Sequence, residues 1–173
     1  AFRECSFLTN INIPQSITNI GNSAFMACSS LTNVTLPEGL TNIGISAFYG
    51  CHSLTNVTLP NGITNIPTQM FFGCYSLTSI VLPKNVTHIG DSAFDGCSSL
   101  TNITIPNGVT TIGESAFDYC NSLKEVVFES PENWVAKSEN TVVKSFTAEE
   151  LSNATTAASL LKSYSSYSWK KEN

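Results

Sequence analysis

Cysteine recurs at Cys5, Cys28, Cys51, Cys74, Cys97 and Cys120, every 23 residues and without slippage. Phenylalanine keeps the same interval at Phe2, Phe25, Phe48, Phe71, Phe94 and Phe117, and leucine at Leu8, Leu31, Leu54, Leu77, Leu100 and Leu123. A fixed period of roughly 20–50 residues marks a stacked repeat architecture, because one unit cannot bury its apolar face until its neighbours cover it. The unit reads L-x-x-(V/I)-x-(L/I)-P-x-x-(L/I/V)-x-x-I-(G/P)-x-x-(A/M)-F-x-x-C-x-x. Five full copies begin at Leu8, Leu31, Leu54, Leu77 and Leu100, and a sixth starts at Leu123.

Within residues 31–37, LTNVTLP, the apolar Val34 and Leu36 alternate with Asn33 and Thr35. That period of two belongs to a strand with one face inward. Pro37 ends it, having no N–H to give to a ladder. The following GLTNI is short and β-rich, and predicts a second brief strand or an extended bend. Gly44 then turns the chain, and SAFYGC predicts a single helical or 3-10 turn that delivers Phe48 and Cys51 to the interior. Stacked in register, equivalent residues form ladders about 4.8 Å apart. The expected fold is therefore an α/β-type repeat solenoid. It is a right-handed superhelix with a parallel β-sheet on one face and short helical or 3-10 turns on the other. Phe25, Phe48, Phe71, Phe94 and Phe117 form one structural ladder, and Cys28, Cys51, Cys74, Cys97 and Cys120 another.

After Phe128 the period stops. Residues 1–128 are read as the solenoid and 129–173 as a small α+β C-terminal cap, since the last layer needs a cover. Within the cap, short strands are expected at 134–136 and 141–143. A helix is expected over about 147–163, opened by a capping box of Thr147 and Glu150. Leu151, Ala154, Ala158 and Leu161 share its apolar face, and Trp169 is the expected anchor. The chain opens in mid-unit, AFRECSF having the phase of SAFYGCHS, so a trimmed fragment is expected, with a leader and further repeats upstream. Its first layer (Phe2, Cys5, Phe7, Leu8) presents core surface and strand edges, which predicts end-to-end self-association.

The unit resembles a leucine-rich repeat, in particular the 23-residue BspA-type class found in bacterial surface proteins. The resemblance rests on L-x-x-V-x-L-P followed by I-G-x-x-A-F-x-x-C and covers residues 1–128. Departures are few: IPTQMF at 66–71 replaces I-G-x-x-A-F, and Glu129 replaces the proline after the last strand. The resemblance implies a secreted or cell-surface location and a host- or matrix-facing binding role, without identifying a ligand.

Composition removes several function classes. Net charge is −5, and residues 1–123 hold only Arg3 and Lys84 as basic groups. Nucleic-acid binding draws most of its affinity from neutralised phosphates, so nucleic acid is not expected as a partner. No run approaches the roughly 20 apolar residues of a spanning helix, so no membrane insertion is expected. The cysteines lack the paired spacing of a zinc ribbon. Side chains in a ladder point in parallel, which disfavours disulfides, so the cysteines read as free buried thiols serving as small apolar residues. Cys51 and His52 adjoin, but sequence neighbours seldom face each other and no orienting acid is evident. Asp91, Asp95, Glu114 and Asp118 lie in bends and read as a solvated edge. No catalytic residues, metal site or cofactor are assigned. The sequons at Asn33, Asn56, Asn85, Asn102 and Asn153 fall mostly in an Asn/Thr-rich repeat and read as chance matches.

Two surfaces remain as candidates for a protein, matrix or glycan partner. One is the outward, concave face of the sheet: Asn33, Thr35, Asn56, Thr58, Ser79, Val81, Asn102 and Thr104, nearly uncharged and built of amides and hydroxyls. The other is an aromatic patch of Tyr49, His52, Phe72 and Tyr75 on the opposite side. The first could equally be a solvated sheet face, and the second a shield over the Phe ladder. The leading functional expectation is a non-catalytic binding or adhesion module; the alternatives are a spacer that displays another domain and, remotely, a hydrolase or metal-binding protein.

Overall fold

The computed structural model describes residues 1–139 and 141–172. Coils 1 to 6 are counted from Leu8, Leu31, Leu54, Leu77, Leu100 and Leu123. Each coil has three sides, and each side follows from its letters. On the first, Asn10–Asn12, Asn33–Thr35 and Asn56–Thr58 form a parallel sheet in register, Asn10 opposite Asn33 opposite Asn56. The central residue of each strand faces the core while its Asn and Thr flanks face solvent. The sheet resumes with Asn102–Ile105 beside Glu125–Phe128. That last strand is longer because Glu129, standing where earlier coils have proline, donates its N–H to Ile105 O at 3.0 Å.

The second side carries the brief strands expected from GLTNI. Asn19–Ile20 pairs with Asn42–Ile43, and Asn65–Ile66 pairs with His88–Ile89 and then Thr111–Ile112, all parallel.

On the third side, where a helical or 3-10 turn is expected, no continuous helix forms. SAFYGC instead makes overlapping reverse turns, Tyr49 N–H donating to Ser46 O and Cys51 N–H to Phe48 O. Alternate amides point along the solenoid axis: those of Ser46, Phe48 and Gly50 donate to Thr68, Met70 and Phe72 of the next coil. A helix would turn those donors inward along its own axis and forfeit the bonds between coils. Left-handed backbone at Ser46 (φ 56°) and Gly50 (φ 68°) makes the alternation work.

The interior is the set of ladders read from the period. Phe25, Phe48, Phe71, Phe94 and Phe117 are buried and stack with ring centroids 5.2–5.7 Å apart. Cys28 to Cys120 are buried and unpaired, while Cys5 is exposed.

Beyond Phe128, a hairpin of Trp134–Ser138 and Thr141–Ser145 is followed by two helices and a strand, Ser168–Lys171. The expected single helix over 147–163 is in fact α1 (Ala148–Ser152) and α2 (Ala154–Ser163). Asn153, with φ −88° and ψ 108°, ends the first and caps the second through Thr156 N–H. The Thr147–Glu150 capping box is present. The break rotates the apolar face, so Ala157 is buried with Leu151, Ala158 and Leu161, and Ala154 is only half-buried. Ser168–Lys171 went unread: four residues with two lysines carry too little pattern, yet the strand pairs antiparallel with both Trp134–Ser138 and Thr111–Ile112. The solenoid thereby ends on hydrogen-bond partners rather than on a bare edge. Ser165 O accepts the Ser115 N–H, and Lys171 N–H donates to Thr110 O. Phe128, Trp134, Phe146 and Trp169 form an aromatic floor beneath these segments.

Candidate binding groove on the sheet face

On the sheet face each regular coil is clamped to its predecessor by a side-chain relay. Asn33 Nδ2 donates to Thr32 Oγ1 (3.2 Å), whose hydroxyl donates to Thr9 O of the previous coil (3.1 Å). Asn56 and Thr55 repeat it onto Thr32 O. In coil 4 the letters change from NVT to Ser79-Ile80-Val81. Ser79 has no amide to hold Thr78, and the Thr78 hydroxyl makes no bond to Thr55 O among the described residues. The backbone bond at this position lengthens from 3.0 Å (Thr32 N to Thr9 O) and 3.1 Å (Thr55 N to Thr32 O) to 3.4 Å (Thr78 N to Thr55 O) and 3.3 Å (Thr101 N to Thr78 O), then returns to 2.9 Å at Lys124. Pairing contracts to one bridge, Thr58 with Val81, and none joins 79–81 to Asn102–Ile105 among the described residues.

Over this opening lies a groove of about 820 Å³. Six of the eight sheet-face candidates line it: Asn56, Thr58, Ser79, Val81, Asn102 and Thr104. Asn33 and Thr35 are exposed one coil away and do not reach it. Val81 is 82% exposed, an apolar knob among amides and hydroxyls. The far wall was missed in the sequence: Asn61, Lys84, Asn85 and Glu129. They follow, or in Glu129 replace, the proline that ends the strand, Lys84 taking the first place after Pro83 and Glu129 the proline's own. Asn85 Nδ2 donates to Asn61 O (3.1 Å), and Glu129 Oε2 accepts from Asn107 N–H (3.0 Å). Such a wall can exchange hydrogen bonds with a neutral polar partner and places one cation and one anion at its lip.

The aromatic residues form two pairs across coils 2 and 3. Tyr49 lies on Phe72 at 4.6 Å between centroids and 3° between planes, and His52 on Tyr75 at 4.8 Å and 14°. Parallel rings this close occupy one another's faces, so the faces a stacked ligand would use are partly taken. Tyr49 and Phe72 are half-buried; His52 and Tyr75 are exposed. The Tyr75 ring lies above Gly73 and Gly96, where a Cβ would come within 3.8 Å and 3.5 Å of it.

Catalytic chemistry finds no footing in the side chains singled out. Cys51 points inward with its Sγ 3.2 Å from Phe25 O, while His52 faces out. Burial, with the neighbouring Cys28 thiol, pushes the Cys51 thiol up to about 12, far from the range of a reactive thiolate. Asp91 Oδ1 accepts from Glu114 N–H of the next coil, and Asp118 Oδ1 from Tyr119 N–H and the Ser165 hydroxyl, so both carboxylates have structural partners. No cluster of three metal-ligating side chains occurs among the described residues, and no described helix is long and apolar enough to cross a membrane.

Residues 1–124 match the model of the BspA type leucine-rich repeat region in six copies. Among solved structures, a leucine-rich cell surface protein of Faecalibacterium prausnitzii is 37% identical over 72% of this chain and 33% of its own, with a TM-score of 0.69. A leucine-rich repeat protein of Bacteroides ovatus is 39% identical over 68% of this chain and 33% of its own, TM-score 0.65. The leucine-rich repeat protein of T. pallidum is 36% identical over 68% of this chain and 57% of its own, TM-score 0.66. This chain thus spans about a third of the length of the first two. No curated protein matches it. The 23-residue period, the three-sided coil and these likenesses agree, and the chain belongs to the BspA-type leucine-rich repeat family.

Proposed function

We propose that this chain is a non-catalytic binding module of a secreted or surface-displayed bacterial protein, and that it holds a protein or glycan partner in the sheet-face groove. One observation carries the reading: the groove opens where Ser79 replaces the clamping Asn and Val81 the outward Thr, so the letter that loosens the sheet also lines the cavity. A solvated sheet face has no need to break its own ladder. The lining suits a partner with evenly spaced donors and acceptors and a small apolar face, such as an extended peptide or a neutral oligosaccharide. The surface location is supported by the relative named as a cell surface protein.

The test is a glycan array, together with a panel of immobilised matrix proteins, probed with the unaltered chain and two sets of variants. Val81→Asp with Asn102→Ala alters the groove; Tyr49→Ser, Phe72→Ser and Tyr75→Ser alter the aromatic patch. Loss of a captured partner in the groove set alone supports the reading. Loss in the aromatic set alone moves the site to the opposite side. A chain that captures nothing, and whose faces all tolerate change, is a spacer.

A further inference from the structure

The coils are held by three columns of inter-coil hydrogen bonds; one column is interrupted once, and another loses its strand pairing at a different level. On the turn side the column is continuous: Phe25 N–H to Ala47 O, Phe48 to Met70, Phe71 to Ala93 and Phe94 to Ala116, all at 2.8–3.0 Å. On the second side, coil 2 is tied to coil 1 by Thr41 N–H to Thr18 O (3.0 Å), Thr41 Oγ1 to the same oxygen (3.3 Å) and Gly44 N–H to Ile20 O (2.8 Å). The same three bonds tie coil 4 to coil 3 through Thr87 and Gly90, and coil 5 to coil 4 through Thr110 and Gly113. Between coils 2 and 3 none of the three is present among the described residues, and Asn65–Ile66 does not pair with Asn42–Ile43.

The cause stands in the sequence. Pro67 takes the slot held by Gly44, Gly90 and Gly113. It has no N–H to give to Ile43 O. It also carries a ring where the other coils approach so closely that a Cβ would lie 2.3–2.5 Å from the preceding coil. At this same junction the turn side gains fastenings. The Tyr49–Phe72 and His52–Tyr75 stacks span it, and Ser46 Oγ donates to Gln69 Oε1 at 3.2 Å. On the sheet face, strand pairing is lost between 79–81 and Asn102–Ile105, at the junction of coils 4 and 5, where Thr101 N–H and Oγ1 still reach Thr78 O at 3.3 and 3.4 Å.

We propose that the solenoid is jointed: coils 1–2, coils 3–4 and coils 5–6 with the cap are three blocks that flex about the unbroken turn-side column. The joint at Pro67 opens on the second side, and the joint at Ser79 opens on the sheet face. The aromatic pairs then act as the pin of the first joint, and bending at the second changes the width of the groove. This inference concerns the bare chain and stands whether or not the groove binds a partner.

Amide hydrogen exchange followed by NMR on the full chain tests it. Thr64 N–H should exchange at least about tenfold faster than the equivalent Thr41 and Thr87, because no bond to Thr41 O protects it among the described residues and it exchanges without global unfolding. Thr101, whose N–H spans the second joint, should likewise exceed Thr32 and Thr55. Pro67→Gly, which restores the residue used by the other coils, should slow Thr64 to the rate of Thr87 and leave Thr101 unchanged. Ser79→Asn with Val81→Thr should slow Thr101 and leave Thr64 unchanged. Thr64 as protected as Thr87 in the unaltered chain, or indifferent to Pro67→Gly, overturns the first joint. Equal protection at Thr32, Thr55 and Thr101 overturns the second.

Discussion

Each buried thiol does more than fill space. The Sγ of Cys28, Cys51, Cys74, Cys97 and Cys120 donates to the carbonyl of the phenylalanine 26 residues earlier, at 2.9–3.2 Å. For Cys51, that oxygen belongs to Phe25 and already accepts the Cys28 N–H within its own turn (3.2 Å), so the thiol uses its second lone pair. The slot calls for a side chain that is small, cheaply desolvated and still a donor; alanine lacks the donor, and serine costs more to bury. Desolvation raises the Cys74 and Cys97 thiols well above the ordinary range and the Cys120 thiol to about 12. Iodoacetamide should therefore add one label to the native chain, at Cys5, and five more after denaturation, read by mass spectrometry; two or more native labels would contradict a closed ladder. Asp95 is a second residue with a measurable signature. Half-burial, and then the Asp118 carboxylate one coil on, raise its pKa above 3.8, partly offset by a bond from Ser92. The folded state then holds this proton more tightly than the unfolded chain, so stability from Asp95 is present at low pH and falls as pH rises through its folded value. Asp95→Asn should raise the melting temperature at pH 7, with the gain shrinking as pH approaches 4 and vanishing below.

At the scale of the element, the coil depends on close approach at one glycine column. A Cβ on Gly44 would lie 2.4 Å from Asn22 N and 2.6 Å from Gly21 C, both backbone atoms, whereas Gly21 has nothing within 4 Å. Gly44→Ala should cost about 1–3 kcal/mol by forcing coils 1 and 2 apart, and Gly21→Ala should stay within about 0.5 kcal/mol, both by chemical denaturation. Equal costs would mean that the column is held by backbone conformation instead. The strands and their inward faces were readable because alternation is a local property of LTNVTLP and GLTNI. The turn segment was not: SAFYGC has the look of a helical turn, and what prevents one is the row of carbonyls on the next coil, a partner with no trace in the segment itself. The broken cap helix has a similar origin. Asn153 is a good cap and an indifferent helix interior, and packing of α2 against Glu125–Phe128 gives it the first role.

For the whole molecule, the two ends differ. The cap supplies partners that a further coil would have given, through Ser165 O, the Lys171 N–H and a Lys162 Nζ bond to Leu123 O at 2.8 Å. The first layer has no such cover: Phe7 is 94% exposed, Phe2 is 40% exposed, and an apolar cavity of about 450 Å³ opens between Phe2, Ile11, Ile17 and Phe25. With one end closed, association of this chain should join two first layers and stop at a dimer, which light scattering over a concentration series would show as a mass that doubles and then holds. A mass independent of concentration would set self-association aside. The candidate site divides along the same line as the fold. Six groove residues could be placed on one face from period and alternation, because a residue's face is fixed by its own strand. That coil 4 loosens, and that Lys84 and Glu129 close the far wall, depended on which side chains and carbonyls meet between coils. By itself the sequence determined the period, the inward ladders, the strands and where the repeats stop, since identical units in register bury identical atoms. Only the tertiary structure decided where that register slackens, because a missing amide at Ser79 or a missing N–H at Pro67 has an effect only once the neighbouring coil is in place to lack it.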